Sequence, residues 1–160
     1  DARYRHAGQK LRDYLFHQLW RRNRLLRALG PQGPIGEASL EDYAYVAQGL
    51  LDWYEVTRNP KDLARVQQLV HFAWQTFYEQ HWYLAEPQLL PMEAGVNLVA
   101  DDPLPSPAAL LIDLRLRLDT VDKIVYNAAA LGQELVLDWP FLHATHIGVV
   151  QKMRPLLDSK

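Results

Sequence analysis

Asn59-Pro60 lies between two long stretches of helical periodicity and allows only one local arrangement. Pro60 has no amide donor and disfavours helical geometry in the residue before it, so a helix arriving from upstream stops by Asn59. Asn59 then caps a second helix, with Pro60 in the first position, where a missing donor costs nothing. Upstream, Ser39 is a natural N-cap with Asp42 three residues on, a capping-box variant that satisfies free amides of the first turn. Tyr43, Val46, Ala47, Leu50, Leu51 and Tyr54 follow at helical spacing. Downstream, Leu63, Val66, Leu69, Val70, Ala73, Trp74 and Phe77 form one apolar stripe. Two helices joined this tightly make an antiparallel hairpin.

The same signals place four more helices. The first spans about Tyr4 to Leu19, with Leu11, Tyr14, Leu15 and Leu19 inward. From Trp20 to Leu29 the chain reads as extended, and Gly30, Pro31, Gly33, Pro34 and Gly36 then read as a loop. The sequence Glu79-Gln80-His81-Trp82 echoes His17-Gln18-Leu19-Trp20, and a second long loop follows it. Ser106 and Pro107 open the fourth helix and Thr120 caps the fifth. The sixth starts at Asp138 and ends before Pro155. The third helix shows a clean polar face in Lys61, Asp62, Arg65, Gln67 and Gln68, whereas the second and sixth are apolar on most sides. The expectation is an all-α single domain over 1–160, a partial α/α toroid of three helical hairpins with short extended segments in its long loops. The second, fourth and sixth helices would point their ends at a central cavity.

Composition narrows the function. With 160 residues, 49% hydrophobic and 22% charged, the chain can bury a real core. A net charge of −2 argues against gathering nucleic acid or an anionic membrane, although Arg3, Arg5, Lys10, Arg12, Arg21, Arg22, Arg24 and Arg27 make the first stretch basic. Without cysteine there is no disulfide framework, thiolate nucleophile or Cys-based metal site, and a reducing, cytoplasmic location is expected. No apolar run approaches the roughly 20 residues of a membrane helix. The chain opens at Asp1 within helix-like sequence, so a preceding segment holding part of any site is expected.

Two segments carry a resemblance. Leu40-Glu41-Asp42-Tyr43-Ala44, with Gln48-Gly49-Leu50-Leu51-Asp52-Trp53-Tyr54-Glu55 and Asn59-Pro60, resembles the Leu-Asp-Asp-Tyr-Ala…Gly-Leu-Leu…Tyr-Glu-Ala…Asp-Pro pattern of the thioredoxin-domain-containing, spermatogenesis-associated protein family. Asp101-Asp102-Pro103-Leu104-Pro105-Ser106 resembles the family's Asp-Gly-Ala-Leu-Pro-Ser-Gly-Asn segment. The resemblance implies the C-terminal part of an α/α toroid akin to six-hairpin glycosidases and N-acylglucosamine 2-epimerases. It also implies, as partners, the rest of that toroid and a thioredoxin-like domain of the same protein. Pro107-Ala108 replaces the family's Gly-Asn, losing a flexible backbone position and an amide that could reach a ligand.

The candidate catalytic residues are Asp42, Glu41, His143 and His146. Glycoside chemistry needs one protonated and one ionised carboxylate across the scissile bond. Adjacent Glu41 and Asp42 diverge by about 100° and need a partner such as Glu37, Asp101 or Asp102. Capping by Asp42 explains its spacing fully and is the favoured reading of that residue. His143 and His146 share a helix face, as an acid and base pair would, and no third ligand makes them a metal site. Tyr43, Trp82, Trp139 and Ser106 are candidate substrate contacts, with Trp20, Tyr45 and Tyr83 as further stacking walls. The reading from sequence is a carbohydrate-related helical segment of a thioredoxin-like fusion protein, non-catalytic on its own and without cofactor or metal. The alternatives are a sugar epimerase or glycosidase binding a carbohydrate, and a protein-interaction module.

Overall fold

In the computed structural model, residues 1–79, 81–86, 101, 103–118 and 144–157 are described. The chain begins with helix α1 (Ala2–Tyr14), which ends in a single wide π-helical turn at Leu15–Leu19 closed by the Trp20 N–H on the Leu15 carbonyl. A three-stranded antiparallel sheet follows, β1 (Trp20–Arg21), β2 (Arg24–Gly30) and β3 (Gly33–Glu37), in the order β1-β2-β3. Next come α2 (Leu40–Thr57) and α3 (Pro60–Phe77), then the short hairpin β4 (Tyr78–Glu79) and β5 (His81–Trp82). α4 (Pro107–Leu118) and α5 (Ala144–Leu157) complete the described elements.

This architecture corrects the all-α expectation. The described residues form five helices and an antiparallel sheet, a mixed α/β arrangement instead of an all-α toroid of six helices. The sheet begins at a two-residue turn in which Arg22 and Asn23 both take positive φ, the geometry that matches the twist of paired strands. The presumed loop at Gly30 to Gly36 is largely strand β3, paired to β2 through Leu26↔Glu37, Ala28↔Ile35 and Gly30↔Gly33. Glycine and proline are poor strand formers, and that hid the strand. β3 is an edge strand, where a proline lacking N–H breaks no ladder.

The predicted joint holds. α2 stops at Thr57, Arg58 turns into the left-handed region, and the Asn59 side chain accepts the Lys61 N–H at 3.0 Å with Pro60 opening α3. Between α2 and α3 the stacked rings of Tyr43 and Phe72 lie 5.0 Å apart, with Phe77 tilted against Tyr43 at 5.6 Å. α4 packs against α2, α3 and α5 through Ala108, Ala109, Leu111, Ile112 and Leu114, all buried, while Val149 and Met153 supply the buried face of α5. A chain of ion pairs ties these helices at one end: Lys152 Nζ lies 2.6 Å from the buried Asp113, and Arg117 reaches Glu55 at 2.6 Å and Asp52 at 3.5 Å.

Three further expectations are revised. Leu11 and Tyr14, read as inward, are exposed; α1 faces the protein through Gly8 and Arg12, and the π-helical turn through Leu15 and Phe16. Asp62, read as part of the polar face of α3, is buried because Arg12 docks on it. α5 continues through Pro155 to Leu157 where it was expected to stop; a proline this near the helix end forfeits only one late hydrogen bond. The start of the sixth predicted helix and all of the fifth lie outside the described residues. Among those described, no helix is long and apolar enough to cross a membrane.

Candidate functional site

The starts of α2, α4 and α5 come together, and Asp101 joins two of them. Its Oδ1 accepts the Ser106 N–H at 2.7 Å and its Oδ2 accepts the Thr145 N–H at 2.9 Å. Ser106 in turn caps α4, its Oγ accepting the Ala109 N–H at 3.1 Å. The α2 side is attached by Tyr45, whose hydroxyl donates to the Pro105 carbonyl at 2.9 Å. The positive ends of helix dipoles favour an anion, and Asp101 supplies one from within the chain. Burial, together with the negative charges of Glu41 and Asp101, raises the Tyr45 phenol above its ordinary value. Glu41 itself is exposed.

Asp42 does not point a free carboxylate at this junction. Its Oδ2 accepts the Ser39 N–H at 2.8 Å and the Ser39 hydroxyl at 3.0 Å, with Arg27 at 4.0 Å. It holds the first turn of α2 to the residue before it, the capping role that its spacing allowed. Tyr43 is also committed: its buried hydroxyl accepts the Leu25 N–H at 2.9 Å and so fixes β2 against α2. Burial pushes that phenol up to about 12, with the Leu25 bond acting in the opposite direction. Trp82 lies in a buried aromatic cluster, 4.8 Å from Trp74 and 4.9 Å from Tyr78, with no face open to a sugar ring. Trp20 is covered by the Arg65 guanidinium at 4.7 Å, and Tyr83 pairs with His81.

The structure therefore brings Ser106 and His146 to the helix starts, with His146 buried in the first turn of α5. It assigns Asp42, Tyr43 and Trp82 to packing and capping. Glu37 is exposed at the end of β3. Asp102, Trp139 and His143 lie outside the described residues. Pro107 and Ala108, which open α4, are both buried as core, so no side-chain amide projects from these two positions. Among the described residues no group of three or more His, Asp or Glu is arranged to hold a metal ion.

Among the described residues a cleft lies elsewhere, between α3 and the end of α4. It encloses about 510 Å³ and is lined by Gln67, Gln68, His71, Trp74, Arg115 and Leu118 among others. The Arg115 guanidinium sits over the Trp74 ring at 4.7 Å. Sequence reasoning missed two residues of consequence. Asp101 reads from the sequence as a possible partner carboxylate and as part of the Asp101–Ser106 segment, and neither reading marks it as the acceptor of two helix-start amides. Thr145 carries no signal at all, because its contribution is a backbone amide.

Compared with family models, characterised proteins and solved structures, the chain matches none of them.

Proposed function

We propose that this chain is a non-catalytic, carbohydrate-related mixed α/β segment of a cytoplasmic thioredoxin-like fusion protein, and that it positions other parts of that protein instead of performing chemistry itself. The observation that carries this reading is the engagement of Asp42 and Asp101 as receivers of backbone N–H groups at helix starts. A general acid must protonate and deprotonate during the reaction, and protonating either carboxylate here would weaken the charge-assisted hydrogen bonds that hold a helix start. The buried Pro107-Ala108 start of α4 supports the same reading, since it offers core surface where the family pattern offers a polar amide.

The test is a proton NMR assay of epimerisation of N-acyl amino sugars and hydrolysis of disaccharides by the full-length protein. No turnover is expected. Turnover that Asp42→Asn abolishes while the protein stays folded would establish the sugar epimerase or glycosidase alternative.

A second reading, a protein-interaction module, is favoured by one specific observation: α1 turns an apolar stripe to solvent.

A further inference from the structure

α1 contains no buried residue, yet its sequence is not that of a helix designed only for water. Tyr4, Ala7, Leu11 and Tyr14 recur at intervals of three, four and three, the spacing of the seam by which one helix packs against another. All four face solvent, Tyr4 at 76%, Leu11 at 60% and Tyr14 at 45% exposure. The seam does not cover the body of the protein, because a different flank does so: Gly8 lies against the Trp53 ring and Arg12 binds Asp62.

The charges beside the seam define its complement. Arg3 and Lys10 lie one residue before Tyr4 and Leu11, in the flanking positions that face a partner helix across a seam. Both are exposed, and among the described residues Arg3 pairs with the exposed Asp1 at 3.2 Å. We propose that this face of α1 is a docking surface for an amphipathic helix of a partner polypeptide, with apolar residues at the same three-four spacing and carboxylates along its rim. The proposal rests on the interaction-module reading.

Two other occupants fit less well. In a second copy docked antiparallel, Arg3 and Lys10 would face their own counterparts, and like charges across a seam repel. Docked parallel, they would face the Gly8 flank, which is occupied by Trp53. A lipid surface calls for a broad apolar face, whereas this stripe is the narrow two-per-heptad kind with positive charge on one side only.

The experiment uses the 160-residue chain and two synthetic three-heptad peptides, both with leucine at the seam positions, one flanked throughout by glutamate and one by lysine. Binding is followed by fluorescence anisotropy. The glutamate peptide is expected to bind at least about tenfold tighter than the lysine peptide, and its advantage is expected to shrink as salt is raised. Leu11→Asp is expected to weaken the glutamate peptide at least about tenfold with the circular dichroism unchanged. Tyr4→Ser serves as a second variant at a more exposed position. Absence of binding, equal affinity for the two peptides, or affinity unaffected by both variants overturns the proposal. So does a concentration-dependent dimer, or binding to anionic phosphatidylserine vesicles, that Leu11→Asp removes. Sugar turnover would refute the non-catalytic reading without altering any of these binding results, so the two failures are distinguishable.

Discussion

Arg12 donates from Nε to Asp62 Oδ1 at 2.8 Å across fifty positions of sequence, and this pair is what fastens α1 to the start of α3. The Asp62 side chain is only 1% exposed. The same guanidinium bonds Asp13 at 2.8 Å and stacks over Phe16 at 4.2 Å. Burial alone would lower the arginine's affinity for its proton, but the bonds to Asp62 and Asp13 outweigh it and leave the guanidinium raised above its ordinary value.

Removing one partner should therefore cost far more than removing both. Arg12→Met strands a buried carboxylate and is expected to lower the unfolding free energy by about 3 kcal/mol, while Arg12→Met with Asp62→Leu recovers most of the loss. A double-mutant cycle by urea denaturation measures this. Equal, additive losses would show that the pair is not coupled.

Gly8 tests the other attachment of α1. Alanine in a helix interior normally stabilises by about 1 kcal/mol over glycine. Here a Cβ would stand 2.7 Å from an atom of the Trp53 ring. Gly8→Ala is expected to forfeit that gain and to shift Trp53 fluorescence, and Gly8→Ala with Trp53→Ala should regain it relative to Trp53→Ala alone.

Tyr43 gives a pH signature. Its folded phenol lies above the ordinary value of 10.0, at about 12. The folded protein thus holds this proton more tightly than the unfolded chain. The associated stability is fully present below about pH 10 and is lost as pH rises from there toward 12. Wild-type stability measured across that window should fall more steeply than that of Tyr43→Phe. At neutral pH Tyr43→Phe should itself cost about 1–3 kcal/mol, because it leaves the buried Leu25 N–H without its acceptor.

The parts of the fold legible in the sequence are those set by local chemistry. Ser39, Asn59, Pro60 and Pro107 mark helix starts that depend only on a few adjacent residues, and each lies where those residues demand. The parts that were misread depend on tertiary pairing. Gly33-Pro34-Ile35-Gly36 has no intrinsic strand preference and becomes a strand because β2 lies beside it. Leu11 and Tyr14 have the periodicity of a buried face, and periodicity cannot say whether the surface that covers it belongs to the same fold. Asp62 looked like solvated charge because its partner lies fifty residues upstream. At the site, Asp42 was correctly identified as a cap candidate from its spacing, whereas the reach of Asp101 to Thr145 spans 44 positions and leaves no local trace.

The most direct measurement of whether these carboxylates serve helix starts is amide hydrogen exchange at Ser39, Ser106 and Thr145 in the wild type, Asp42→Ala and Asp101→Ala. Asp101→Ala is expected to speed exchange at Ser106 and Thr145 and leave Ser39 unchanged, Asp42→Ala is expected to do the reverse, and each should lose about 1–2 kcal/mol of stability. Exchange at all three amides unaltered by either substitution would contradict the assignment of Asp42 and Asp101 as helix caps.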